Sequence, residues 1–399
     1  MTLPANQHAA SRPPLSYGRQ WIDEADIAAV VEVLRSPRIT QGPKIAEFER
    51  RVADACGAGH AIAVANGTAA LHVASLASGI GPGDVGVTSP MTFLASANCI
   101  AYTGAAVNFV DITPETLCLD AEALAEQCDR GPVPKLVVAV DYAGVPADLP
   151  RLFELAKEYG FTLIEDAAHS LGSTYRHGGA VYRCGGCDHA HLATLSFHPV
   201  KAITTGEGGM VLTNDDDLAR RVRRLACHGV ERDRECLTAD DSPWYYEMRE
   251  LGFNYRITDF QAALGLSQMN RLDEWSRRRR EIVTQYNEAF HELADVPPWP
   301  DDTVPAFHIY VLRVSGAWRE HRRCFFERLV EKGIFPQVHY IPVHTHPYYR
   351  ARLGEQRGRF SVAEDTYARC LSLPLYPGIT DADVSRVIDS VREILLQTP

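Results

Sequence analysis

Apolar residues recur along this chain in two alternating rhythms. From Asp23, the stretch DEADIAAVVEVLRS sets Ile27, Val30, Val31 and Leu34 at helical spacing, and IAEFERRVADACG predicts a second helix ending at Gly57. Short apolar runs then alternate with helical ones. HAIAVAN predicts a strand and GTAALHVASLASG a helix, DVGVTSP a strand and TFLASANCIAYTG a helix, and AVNFVDI a strand ending in Asp111. An acidic helix over Asp120 to Asp129 precedes the strand PKLVVAVDYAG, LPRLFELAKEYG predicts a helix, and FTLIEDAAH a buried strand. ATLSFH, MVLTN and DLARRVRRLACHG continue the pattern as strand, strand and helix. Such alternation predicts a mostly parallel sheet with helices on both faces. Functional groups in such sheets gather at the carboxyl ends of the strands.

From about Thr258 a long helix predicts a connector to a second unit, in which FHIYVLRV and IFPQVHYIPVH read as strands. The expected organisation is an α/β fold: a tail over 1–22, a large domain over 23–262 and a small C-terminal α+β domain over 263–399. The opening MTLPANQHAASRPP is polar and Pro-rich, predicting a loose tail without the apolar region of a secretory signal. No apolar run approaches the roughly 20 residues that cross a bilayer.

Composition narrows the partners. The 399 residues carry a formal net charge of -11, which predicts no basic surface for nucleic acid or anionic membrane. The Arg277 to Arg280 run lies within the long helix beside Asp273, Glu274 and Glu281, and reads as a solvated face. Ten cysteines are scattered without the spacing of a disulfide scaffold, which predicts reduced thiols in a cytoplasm.

The chemistry concentrates in a few strand ends. In ATLSFHPVKAITTGEGGMVLTN, Lys201 follows a strand and Ser196, and precedes a Gly-rich turn. A lysine held there can lose its proton and form an imine with an aldehyde, although most lysines are solvated. Asp166 closes the strand in TLIEDAAHSLG, where a carboxylate suits either a pyridinium nitrogen or a helix N-cap. His169 follows three residues on. Gly67 and Thr68 occupy a strand-to-helix turn that suits a phosphate or a plain cap. Phe93 stands after another strand end, able to cover a ring or to fill the core.

Together these motifs resemble the DegT/DnrJ/EryC1/StrS sugar aminotransferases, a family of fold-type-I pyridoxal-phosphate enzymes. NGTAAL, TFLASAN, EDAAHSLG, SFHPVKAITTGEGG and GFNYRITDFQAALG stand in family order and spacing over nearly the whole chain. The resemblance implies that Lys201 links covalently to the cofactor, that Asp166 pairs with its ring nitrogen and that His169 lies near its ring hydroxyl. It further implies that Phe93 stacks on the ring and that Gly67, Thr68 and Ser196 hold the phosphate. Asn254 would reach the phosphate of the neighbouring subunit in a homodimer with shared active sites. YGRQ, SPRITQGP, DYAG, GLSQM and PQVHYIPVH resemble members that aminate C4 of a UDP-linked 4-keto-6-deoxy-N-acetylhexosamine in pseudaminic acid synthesis, with L-glutamate as donor. Such transfer runs in two half-reactions with Lys201 as proton carrier.

Tyr17, His339 and Tyr340 lie outside the cofactor motifs. They suit the sugar-nucleotide pocket or ordinary structural polar contacts. Cys184, Cys187, His189 and His191 could in principle bind zinc, but two ligand pairs this close would be strained and no second CxxC completes the set, so no metal is expected. Lys201 argues against the family's sugar dehydratases, which carry histidine there. The acidic balance and lack of spare sequence argue against a non-catalytic, cofactor-binding regulator.

Overall fold

The computed structural model describes residues 13–239 and 242–399. The expectation of a loose tail over the first twelve residues therefore lies outside the described residues. Leu15, by contrast, is buried, and Leu15–Ser16 pairs in parallel with Ile334–Phe335. An apolar side chain with a strand partner ties the tail down at that point.

Seven strands form the main sheet: β1 (His60–Val64), β2 (Val85–Thr88), β3 (Ala106–Phe109), β4 (Leu136–Val140), β5 (Thr162–Asp166), β6 (Leu192–Ser196) and β7 (Gly209–Thr213). Their spatial order is β1-β7-β6-β5-β4-β2-β3, with β7 antiparallel to both neighbours and every other pair parallel. The centre is apolar on both faces. All five residues of β4, LVVAV, are buried, as helices on both sides require of a central strand. The fold is thus the mostly parallel α/β architecture expected from the alternation.

The helices begin and end on recognisable chemistry. The Asp23 carboxylate caps Glu24–Leu34 in a reciprocal capping box with Asp26. Pro43–Cys56 stops at Gly57 in the left-handed region, where glycine has no Cβ to clash. Asn66 caps Gly67–Ala77 by accepting from the Ala69 N–H.

Three expectations are corrected. Residues 258 onward form two helices, Asp259–Met269 and Leu272–Phe290, separated at Asn270 and Arg271. The Arg271 guanidinium turns toward Asp26, which is fully buried, and also meets Asp23. Pairing this buried carboxylate coincides with the break between the helices. HYIPVH is not a strand: before it, Ile334–Phe335 pairs with Leu15–Ser16 and Gln337 makes an isolated bridge with Ser372, and a 3-10 turn, Val343–Thr345, ends the segment. Pro342 within it, and Pro336 shortly before it, lack the donors a ladder would need. Finally, the apolar stripe on Glu24–Leu34 faces outward. Ile27 is 48% and Leu34 55% exposed, while Asp26 and Val33 take the inner face.

A second sheet joins Ala294–Asp295, Tyr310–Val314 and Cys370–Leu373 in antiparallel fashion. Its core draws Ile282, Tyr286 and Phe290 from Leu272–Phe290 and Val384, Val387 and Val391 from Asp381–Leu395. This unit carries the segment 334–345 back to the carboxyl edge of the main sheet, where the Val343 N–H donates to the Pro90 carbonyl.

Candidate active site

The carboxyl ends of β1, β4, β5 and β6 open into one cavity of about 940 Å³. Its wall includes Tyr17, Gly67, Thr68, Phe93, Asp166, His169, Ser196, Lys201, His339 and Tyr340. Ten of the eleven residues singled out from the sequence are therefore brought together. The eleventh, Asn254, is exposed and does not line the cavity, although its neighbours Phe253 and Tyr255 do.

Lys201 sits where water is scarce. Burial lowers its amine to about 8, against an opposing pull from the Asp166 carboxylate. Burial in turn raises Asp166, while Ser96 and Lys201 pull it back down. The Asp166 Oδ2 accepts from Ser96 Oγ at 2.7 Å and Oδ1 accepts from the Ala168 N–H at 3.3 Å. Ser96 Oγ lies 2.8 Å from Thr92 Oγ1. Since the one Ser96 proton goes to Asp166, the Thr92 hydroxyl donates to Ser96. Asp166 is therefore held by the Ser96 hydroxyl, which the Thr92 hydroxyl orients in turn.

The phosphate-sized corner is built by close approach. Gly67 begins the helix Gly67–Ala77, and a Cβ there would lie 2.8 Å from the Ser196 Cβ. Only glycine lets the positive end of that helix reach Ser196. Phe93 is 55% exposed, so its ring faces the cavity mouth and is not part of the core. A helix N-terminus, a carboxylate and an amine of lowered pKa on one wall, with an aromatic face at the mouth, fit pyridoxal phosphate.

His169 is bonded at both nitrogens. Nδ1 accepts from the Ala143 N–H at 3.2 Å, and Nε2 lies 3.1 Å from the Tyr340 hydroxyl. His308 packs against it, ring centroids 4.5 Å apart. Burial holds both imidazoles well below their ordinary values, with Lys201 adding to the effect. His339 Nδ1 meets Ser372 Oγ at 2.8 Å, and burial lowers this ring to about 4.

Several cavity residues were not singled out from the sequence. Ser96 lies inside TFLASAN, one helical turn after Phe93, a spacing that could have marked it. His308 stands in FHIYVLRV, which read simply as a strand. His72 and Tyr102 also line the wall with no motif to mark them, as does Tyr255, which stands next to Asn254 in GFNYR. The Arg277 to Arg280 run is only partly a solvated face. Arg279 is buried, and its Nη2 donates to the Lys201 carbonyl at 3.3 Å.

The CGGCDHAH stretch spreads its metal-type side chains among separate partners. Cys187 Sγ donates to the Leu212 carbonyl, His189 Nδ1 meets Tyr175 Oη, and His191 Nδ1 accepts from the Leu163 N–H. Cys184 stands instead beside Asp141 and Glu165, their ligand atoms within 4.8 Å of one another. Glu165 there accepts from the Gly185 N–H, and Asp141 from the Ser170 hydroxyl and the Ala147 N–H. Burial raises both carboxyls, which suits a shared proton.

The sequence model of the DegT/DnrJ/EryC1/StrS aminotransferase family matches residues 20–392. The spore coat polysaccharide biosynthesis protein SpsC of Bacillus subtilis is 39% identical over 387 residues, covering 96% of this chain and 97% of that protein. Among solved structures, Helicobacter pylori PseC, an aminotransferase involved in the biosynthesis of pseudoaminic acid, superposes with a TM-score of 0.86 at 27% identity, covering 96% of this chain and 99% of that one. The putative sugar aminotransferase Spr1654 of Streptococcus pneumoniae, solved in its PLP form, gives 0.85 at 28% identity, covering 96% and 100%.

Proposed function

The chain belongs to the DegT/DnrJ/EryC1/StrS aminotransferase family, and from that premise we propose that it moves the amino group of L-glutamate to C4 of a UDP-linked 4-keto-6-deoxy-N-acetylhexosamine, on the route to pseudaminic acid. It is a sugar aminotransferase and its cofactor is pyridoxal phosphate. The likeness to PseC supports the choice of sugar. The observation that carries the chemistry is the Lys201 amine, lowered to about 8 by burial and facing Asp166 across one cavity.

Bound pyridoxal phosphate supplies an aldehyde for the amine and a ring that delocalises carbanion charge. The chain's own residues do the rest. Lys201 would hold the cofactor through its amine and, when free, would carry the α-proton of glutamate as base and then acid. Asp166, oriented by Ser96, keeps the ring nitrogen protonated. Phe93 covers one ring face. Gly67, Thr68 and Ser196 hold the phosphate at the helix N-terminus, and His169 lies beside the ring. Tyr17, His339 and Tyr340 line the part of the cavity left for the sugar nucleotide. With the keto-sugar bound, Lys201 would carry the proton in the opposite sense.

Asn254 belongs, in this reading, to the phosphate site of a second copy, forming a homodimer with shared sites. Its exposure away from its own cavity supports this, as does the outward apolar stripe of Ile27 and Leu34. Seven buried free cysteines suit the reducing cytoplasm.

A second reading keeps the chemistry and changes the sugar. The 39% identity to a spore coat polysaccharide protein favours amination of another nucleotide-linked keto-sugar. Purified enzyme offered glutamate and a panel of UDP- and dTDP-linked 4-keto-sugars decides between them by mass spectrometry of the products. Amination confined to the dTDP sugars would reject the UDP assignment.

A further inference from the structure

We propose that the main chain of Ala143 locks His169 in its Nε2–H tautomer, which leaves the Tyr340 hydroxyl as a dedicated hydrogen-bond donor to the ketone oxygen of the sugar substrate. The inference rests on the keto-sugar reading for its ligand and on geometry alone for the lock.

The lock follows from counting protons. A backbone N–H can only donate, so the His169 Nδ1 that receives it at 3.2 Å must present a lone pair. A neutral imidazole has one N–H, which then sits on Nε2 and points at Tyr340 Oη, 3.1 Å away. An Nδ1–H tautomer would set two donors face to face. The imidazolium would do the same, and His308 stacked at 4.5 Å, with the lysine amine nearby, makes a cation there still less favourable.

Tyr340 Oη therefore accepts from His169 and keeps its own proton for something else. Among the described residues no acceptor stands within hydrogen-bonding distance of that proton. The Tyr340 side chain is half-buried on the cavity wall beside Phe93, so its proton is free for a ligand bound in the cavity. Burial also raises the phenol, which keeps it a donor throughout the working range.

One turn sets up both partners of this pair. Ala143 lies in the left-handed region (φ 59°, ψ 4°), and this strained backbone carries the N–H that meets His169. Its carbonyl accepts from the His308 N–H at 2.9 Å. The preceding Tyr142 hydroxyl donates to the carbonyl of His339, the residue before Tyr340. Gly144 follows at φ +94°, where a Cβ would come within 2.8 Å of the His169 carbonyl, so the turn cannot back away. His169 is thus a positioning residue acting through Tyr340.

The lock is read directly from cofactor-loaded enzyme labelled with 15N-histidine. Long-range proton–nitrogen correlation should show His169 protonated at Nε2 alone at each pH from about 6 to 9. The resonance is assigned by its loss in His169→Gln. An Nδ1–H or doubly protonated ring would overturn the proposal. Tyr340→Phe should slow the sugar half-reaction roughly tenfold to a hundredfold and leave the glutamate half-reaction within about threefold. Equal slowing of both halves would likewise overturn it. In a His169→Phe background, the added loss from Tyr340→Phe should shrink to about threefold or less, because the oriented donor is already gone. An undiminished loss would show that His169 does not act through Tyr340. Ala143→Gly keeps the N–H and accommodates the left-handed turn, so tautomer and both rates should stay unchanged; a changed tautomer would overturn the lock. If glutamate reacts but no keto-sugar nucleotide is aminated, the substrate reading fails, and the nitrogen spectrum still decides the lock.

Discussion

Ser96 donates to Asp166 at 2.7 Å from a position 70 residues earlier in the chain, and that hydroxyl has no second proton to give. The bond favours the ionised carboxylate over its acid. Ser96→Ala should therefore raise the Asp166 pKa further, since it removes a hydrogen bond that favours the charged carboxylate. Asp166 would then become protonated at higher pH. Cofactor affinity, measured by absorbance titration, should fall on the acidic side first. An affinity profile identical to the parent enzyme would remove Ser96 from this role.

Lys201 and Asp166 pull on each other's protons. Burial takes the lysine to about 8, and the aspartate charge keeps it from falling further. In the cofactor-free enzyme, Lys201 should react with amine reagents with a midpoint near 8, and Asp166→Asn should move that midpoint lower. Peptide mapping across pH measures both. With cofactor, borohydride should fix a yellow adduct on Lys201, and Lys201→Ala should bind without the link and lose roughly 10³-fold or more in turnover. An adduct on another lysine would refute the assignment.

Asn254 is exposed and off its own cavity wall. Chains carrying Lys201→Ala and chains carrying Asn254→Ala should each be poorly active alone. Mixed together, a dimer with shared sites has one site bearing both lesions and one bearing neither, so activity should partly return. No recovery on mixing would assign Asn254 to its own subunit or to no site.

Ile27 and Leu34 leave an apolar stripe in water. If it packs on a second copy, Ile27→Asp with Leu34→Asp should raise the dimer dissociation constant roughly thirtyfold or more. Sedimentation equilibrium reads this directly. Unchanged association would place the dimer contact elsewhere.

The sheet and the strand-end residues of the cavity were legible in the sequence because the information is local, whereas Tyr17, His339 and Tyr340 were marked by the family resemblance alone. Asp166 and Ser196 close strands, Gly67 opens a helix, and the period switch between strand and helix marks each place. What stayed hidden depends on distant parts of the chain. Tyr340 meets His169 across 171 residues, and no spacing rule predicts that pair. The break at Asn270 and Arg271 coincides with a demand made by Asp26, some 245 residues earlier. The stripe on Glu24–Leu34 has a helical period that says which residues share a face and not which way the face turns. IFPQVHYIPVH read as strand from its side chains, while its two prolines lack the donors a strand needs.

A hydrogen bond donated by the main chain has no codon of its own. The Ala143 N–H that reaches His169 survives replacement of the alanine side chain by any residue that tolerates the turn, and proline alone deletes it outright. Side chains around the sugar end of the cavity can therefore diverge, and with them the choice of sugar, while mutation at Ala143 rarely touches the donor that orients the histidine. Enzymes built this way can drift between substrates without first losing the ability to turn one over.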